Sequence, residues 1–320
     1  MKTILKLFFI IFLAGAAKAN SIDEHRVKRA DGTNISYYQI QQSPSKPSET
    51  LLLILQGSDC NSVLKIESIF TDYKNIWPEA DLLLIEKYGI DSKLSYSLED
   101  ERADCPDQYI QNDNPEQRVS DIQDVLDAVR KDYKYQNYII LGGSEGAVIA
   151  NLATARIDYI DATISFNGGG RKFIDDLIHS ITSNHPVSED PEMSIKEVKN
   201  FAAQILNSEE FDFEASQHSY NWWHQSLAID QQEVLMSVDI PLLIIQGGRD
   251  LSVSPQMVDK MMLTLEDLGK DNIEYRKYKE LDHGLKDING RNMRKEVVKD
   301  INLWLKSKLK TSNKSQIPAN

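Results

Sequence analysis

A serine flanked by glycines follows directly on an apolar run in this chain. Tyr138-Ile139-Ile140-Leu141 leads into Gly142-Gly143-Ser144-Glu145-Gly146, and residues 147–152 then read as a helix. The pattern G-x-S-x-G places a hydroxyl on a sharp strand-to-helix turn, where it stands clear of the backbone as a nucleophile. Glycines two before and two after suit such a turn, because strand and helix approach too closely there for a Cβ. The chemistry this predicts is attack by Ser144 on a carbonyl carbon.

A serine hydroxyl is a weak nucleophile until an imidazole takes its proton, and the imidazole needs a carboxylate to hold its tautomer. Where the serine stands on a turn of this kind, the acid and then the histidine follow in chain order, each after a strand. The apolar run 242–245 leads into Gln246-Gly247-Gly248-Arg249-Asp250, and the run 273–278 leads into Lys279-Glu280-Leu281-Asp282-His283-Gly284. Asp250 is the candidate acid, although a turn or helix-cap aspartate would read the same way. Of the six histidines, His25, His179, His185, His218 and His224 all precede Asp250, which leaves His283 as the candidate base.

An oxyanion needs two backbone N–H donors. The amide of Glu145, at the positive end of its helix, is one candidate. The other is the amide of Ser58, in Gln56-Gly57-Ser58-Asp59-Cys60 after the run 51–55; an ordinary Gly-Ser-Asp turn is the alternative. Further on, Tyr220, Trp222 and Trp223 stand together, either to contact substrate or to pin packed elements. No spacing of Cys, His or acidic residues suggests a metal, and no cofactor is expected.

The elements that must hold these residues alternate. An opening hairpin is expected from residues 25–29 and 34–40 around Asp31-Gly32, followed by a Ser/Pro-rich connection from Ser43 to Ser48. Buried strands are then expected at 51–55, 82–85, 138–141, 162–166, 242–245 and 273–278, with helices between them, which predicts an α/β fold around a mostly parallel sheet. Val119, Ile122, Val125, Leu126 and Val129 have helical spacing after Pro115; another helix starts near Pro255, and a last one carries Val297, Val298, Ile301, Trp304 and Leu305. Residues 171–240 are too long for a connection and read as a helical insertion, or lid. The tail 311–320 is polar and expected to be loose.

Residues 1–19 have the form of an export signal: Lys2 and Lys6, an apolar run from 7 to 17, and Ala17-Lys18-Ala19 as a cleavage site after Ala19. The run is too short to span a membrane. The mature protein is therefore expected in the periplasm or outside the cell, without membrane insertion. Removing Lys2, Lys6 and Lys18 leaves 33 basic against 49 acidic residues, a net charge of −16. Such a surface repels nucleic acid and anionic lipid, so the expected partner is a small molecule or short peptide. In an oxidising compartment Cys60 and Cys105, the two cysteines, are expected to pair rather than remain free thiols.

Gly142-Gly143-Ser144-Glu145-Gly146, Gly247-Gly248-Arg249-Asp250 with Val253 and Pro255, and Asp282-His283-Gly284 together resemble the α/β-hydrolase superfamily, and within it the prolyl-oligopeptidase and dienelactone-hydrolase branch. The resemblance implies an eight-stranded, mostly parallel sheet with helices on both faces, formed by residues 20–170 and 241–310, and a lid at 171–240. It also implies hydrolysis of an ester or thioester through an acyl-enzyme, with peptide or amide cleavage as the alternative. A third reading is a ligand-binding protein that keeps the fold without the activity. The chain carries Gln56-Gly57 where that superfamily often has His-Gly, and it has no propeller domain.

Overall fold

A computed structural model describes residues 22–42, 48–99, 101–184 and 191–315. The expected signal at 1–19, the connection at 43–47, His185 and residues 316–320 lie outside the described residues. In chain order the strands are β1 (Glu24–Lys28), β2 (Asn34–Ile40), β3 (Thr50–Leu55), β4 (Asp81–Ile85), β5 (Asn137–Gly143), β6 (Ala162–Phe166), β7 (Glu214–Ala215), β8 (His218–Ser219), β9 (Leu242–Gly247) and β10 (Ile273–Tyr278). The helices are α1 (Glu67–Thr71), α2 (Asp107–Asn112), α3 (Pro115–Asp132), α4 (Glu145–Arg156), α5 (Phe173–Asn184), α6 (Glu192–Asn207), α7 (Tyr220–Ala228), α8 (Gln231–Met236), α9 (Pro255–Asp267) and α10 (Arg294–Ser315).

Eight strands form one sheet in the order β1-β2-β4-β3-β5-β6-β9-β10. The β1–β2 and β2–β4 pairs are antiparallel and every later pair is parallel. The continuous apolar runs seen in the sequence arise because the central strands are covered on both sides. In β3 and β5, Leu52, Ile54, Ile139 and Leu141 pack with Val297, Ile301 and Trp304 of α10, whereas Leu51, Leu53 and Ile140 pack with Val119, Ile122 and Val125 of α3 and Ile149 of α4. The period of two along the strand thus selects which helical layer each side chain meets.

Local signals set the helix starts. Pro115 and Pro255 each occupy the first turn, where a missing N–H costs nothing, and the side chains of Asn114 and Ser254 accept from Gln117 N and Met257 N at 3.0 and 3.3 Å. The buried pair Arg29–Asp121, bidentate at 2.7–2.8 Å, ties the opening hairpin to α3. α10 continues to Ser315, so part of the stretch expected to be loose is helical, as an unbroken run without Gly or Pro permits.

The 171–240 stretch holds α5, α6, the short β7–β8 hairpin, α7 and α8. Ala202, Ile205, Tyr220, Trp222, Trp223 and Leu227 form its own apolar cluster. Leu235 and Val238, by contrast, pack with Leu242 and Met261 of the main body. No helix among the described residues is long and apolar enough to cross a membrane.

Candidate functional site

The sheet changes direction of winding at β3: the chain leaves it for β4 on one side and later returns to β5 on the other. The loops after β3 and β5 therefore diverge to opposite faces and leave a crevice at their carboxyl ends, where ligands bind in open α/β sheets. Ser144 stands at that crevice with φ +55° and ψ −129°, in the left-handed half of backbone space. Such strain in a non-glycine residue persists only where its surroundings enforce it. They do so here. A Cβ on Gly142 would land on the carbonyl of Gly146, and one on Gly146 would come within 2.5 Å of the Leu55 carbonyl oxygen. The Ser144 N–H is held by the Phe166 carbonyl at 3.0 Å, which leaves its hydroxyl as the outward group.

His283 and Asp250 meet Ser144 from two later loops. His283 Nε2 lies 3.2 Å from Ser144 Oγ, and His283 Nδ1 lies 2.8 Å from Asp250 Oδ2. The Asp250 side chain is wholly buried, while that of His283 is 31% exposed. Asp250 Oδ1 accepts the amides of Ser252 and Val253 at 2.8 and 3.0 Å, and Oδ2 also accepts Gln246 Nε2 at 3.1 Å. A buried carboxylate with this many donors has its hydrogen-bonding positions filled. Asn167, which the sequence reading passed over, sits between the two loops. Its Oδ1 accepts Gly247 N at 2.8 Å and its Nδ2 donates to the His283 carbonyl at 2.7 Å.

Opposite these loops lies the segment from Gln56 to Cys60, whose carbonyls are held from behind. Arg118 Nη2 donates to Gln56 O at 2.9 Å, Tyr109 Oη to Ser58 O at 2.6 Å, Lys87 Nζ to Asp59 O at 2.9 Å and Arg102 Nη1 to Cys60 O at 3.0 Å. Cys60 and Cys105 are bridged, with Cα atoms 6.0 Å apart, which fastens the same segment to the start of α2. With so many of its carbonyls drawn backward, the loop is fixed beside the serine: a Cβ on Gly57 would lie 3.8 Å from Ser144 Oγ. The Glu145 amide opens α4 and has no carbonyl one turn earlier to bond.

The Glu145 side chain does something its position in the motif did not suggest. Its carboxylate is buried against Arg118 Nη1 at 2.7 Å, with Lys87 Nζ at 3.8 Å and Trp222 Nε1 at 2.5 Å. Burial pushes this carboxyl up, but Arg118 and Lys87 outweigh it and the net displacement is downward. Around it stand Asp113, pushed up to about 6 by burial, and His218, pushed down to about 4 by burial. His218 is stacked on Trp222 with ring centroids 3.9 Å apart. This charged group went unseen in the sequence because its members come from β4–α2, α2–α3, α3, α4 and β8, and no short motif joins them.

The three aromatic candidates divide. Trp222 faces the serine's surroundings and lines a cleft with Ser144 and Val148. Trp223 is turned inward: its Nε1 donates to Ala215 O at 3.0 Å and its ring meets Phe201 edge-on at 5.0 Å. The Tyr220 hydroxyl reaches Ile205 O and Ser208 O at 3.1 and 2.6 Å. Of the two readings open for these residues, substrate contact or pinning, Trp223 and Tyr220 make the packing contacts within 171–240. Among the described residues no group of three or more His, Cys, Asp or Glu is placed to hold a metal.

Two clefts open from Ser144. One, about 110 Å³, runs beneath the insertion past Phe173 and Ile229. Asp176 lines it, buried, its Oδ1 accepting Ser254 N at 2.8 Å; burial pushes its carboxyl up to about 7. The other, about 440 Å³, runs past His283, Tyr73 and Phe166.

No family model matches the chain, and no curated protein matches it by sequence. Solved structures do match it in shape. Est1E from Butyrivibrio proteoclasticus is 15% identical with a TM-score of 0.58, over 89% of this chain and 98% of that one. The esterase Pf2001 of Pyrococcus furiosus is 15% identical with a TM-score of 0.56, over 90% of each chain. A puromycin-hydrolysing peptidase of Mycobacterium tuberculosis is 13% identical with a TM-score of 0.58, over 90% of this chain but 39% of its own. The chain has the α/β-hydrolase fold.

Proposed function

We propose that this protein is an exported serine hydrolase acting on carboxylic esters. The observation that carries the proposal is the relay from Ser144 Oγ through His283 Nε2 at 3.2 Å, and from His283 Nδ1 to buried Asp250 at 2.8 Å. In this reading His283 takes the proton of Ser144 as the hydroxyl attacks the ester carbon. Asp250 keeps the proton of His283 on Nδ1, so that Nε2 is the free base, and stabilises the imidazolium that forms. The amides of Glu145 and Ser58 hold the tetrahedral oxyanion. His283 then gives its proton to the departing alcohol, and water enters to release the acid by the same steps reversed. These steps need no cofactor.

Export rests on the leader-like residues 1–19, and the Cys60–Cys105 bridge fits an oxidising compartment. Esterases among the similar structures span nearly their whole length with this chain, which favours an ester over a peptide bond. The test is labelling of the mature protein with a fluorophosphonate probe, wild type against Ser144→Ala. Label confined to Ser144 is expected; a folded wild-type protein that takes no Ser144-dependent label would leave a binding protein that keeps only the fold.

A further inference from the structure

The two clefts differ in a way that assigns the halves of the substrate, given the ester-hydrolase reading above. His283 must protonate the departing oxygen, so the leaving group lies on the side that His283 lines. That side is the larger groove; the smaller cleft contains Ser144, Ser58 and Glu145 but not His283. The acyl group therefore enters the smaller cleft.

Size and surface then constrain each half. The acyl cleft is about 110 Å³ and is walled mainly by Val148, Phe173, Trp222, Ile229 and Val253. An apolar cavity of about 150 Å³ accommodates benzene, so this one suits a group smaller than a phenyl ring, roughly two to four carbons. The leaving-group groove is about 440 Å³ and contains Tyr73 and Phe166, whose rings stack at 5.3 Å and 28°, beside Ile66 and Ile69. A flat ring can lie on such a surface, as aromatic pairs prefer offset stacking. Neither cleft is lined by Lys or Arg, and Asp59 stands on the groove. A polyanionic leaving group would meet a carboxylate and no cation there.

We infer that the substrate is an ester of a short acyl group with an aromatic alcohol, neither half carrying negative charge, and not a coenzyme A thioester. The experiment compares kcat/KM of the purified mature protein across benzyl acetate, benzyl butyrate, benzyl octanoate, cyclohexylmethyl acetate, the ethyl ester of phenylpropenoic acid and acetyl-coenzyme A. Benzyl and cyclohexylmethyl alcohols are both primary, so their comparison reads the ring rather than leaving-group reactivity. Benzyl acetate or butyrate is expected to be best, with octanoate slower by about tenfold or more, as for a pocket overfilled by methylenes. Cyclohexylmethyl acetate should be slower than benzyl acetate, and acetyl-coenzyme A should not turn over. Ile229→Ala should raise the octanoate-to-acetate ratio, and Tyr73→Leu should erase the benzyl preference while leaving the acyl profile. Octanoate or phenylpropenoate ester cleaved faster than acetate, or acetyl-coenzyme A cleaved as fast as benzyl acetate, would overturn the inference while Ser144 still labels. Loss of the label itself would instead remove the hydrolase reading on which it rests.

Discussion

The indole N–H of Trp222 donates to Glu145 Oε1 at 2.5 Å, so helix α7 of the insertion is hydrogen-bonded to the residue that follows Ser144. The carboxylate it meets also holds Arg118, which reaches on to the Gln56 carbonyl. One buried anion thus joins the turn that carries Ser144, the insertion and the loop after β3. Trp222→Phe keeps an aromatic ring, smaller by the pyrrole half of the indole, and leaves that carboxylate short of a donor. Chemical denaturation should show a loss of about 1–3 kcal/mol, the usual cost of an unmade bond to a buried polar group. A change within about 0.5 kcal/mol would mean that the indole bond is not holding the insertion down.

Tyr109→Phe removes a single hydroxyl, the one that draws the Ser58 carbonyl away from the serine. The Ser58 amide should then lose its aim. Deleting one oxyanion donor outright costs about 10²–10³ in kcat, so misdirecting one should lower kcat by about tenfold. KM should change little, and stability should fall only by what one hydrogen bond is worth, about 1 kcal/mol, since the ring still fills its buried site. A fall in KM-linked binding with kcat intact would contradict this role.

Reduction of the Cys60–Cys105 bridge, or replacement of both cysteines by serine, opens a loop with a sequence separation of 45. The chain-entropy model gives about 4 kcal/mol for a loop of that length. Denaturant midpoints measured with and without reductant should differ accordingly, and the proposed ester turnover should fall with them, because the bridge and the loop proposed to hold the oxyanion share Cys60.

Asp176 gives a pH dependence whose sign follows from its carboxyl being pushed up to about 7 by burial. A raised carboxyl binds its proton more tightly in the folded protein than in the unfolded chain. Its contribution to stability is fully present below the unfolded value near 3.9 and is lost as pH rises through about 7. Asp176→Asn should therefore gain on wild type as pH rises from about 4 to about 7. Thermal midpoints of the two proteins compared across that range give the answer; parallel curves would show that Asp176 does not titrate there.

That Ser144, Asp250 and His283 come together was legible in the sequence because each stands on a loop shortly after a strand-like run and the three come in a fixed order. The central strands were legible because burial on both faces makes their apolar runs continuous. Arg118, Lys87 and Tyr109 were not, because their partners are backbone carbonyls 62, 28 and 51 residues away. A carbonyl has no residue type, so no pattern of side chains records it. Arg118 also adjoins the apolar stripe of α3 and reads as the edge of an amphipathic helix. The partition among Tyr220, Trp222 and Trp223 was equally hidden: neighbouring aromatics on one helix look alike until the direction of each ring is known.

Asn167 has a consequence for how this site tolerates change. Its one amide reaches Gly247 on one side and the His283 carbonyl on the other, so one side chain gauges the distance between those two loops beside the backbone bonds from Arg249 N to Leu281 O at 2.9 Å and from Gly248 N to Tyr278 O at 2.8 Å. Substitutions within either loop leave that gauge in place. Asn167→Gln lengthens it by one methylene and resets the spacing of both loops together, without altering any residue that exchanges a proton. A residue just past β6, outside the proposed reacting set, is thereby one of the ties that lay Asp250 and His283 against each other.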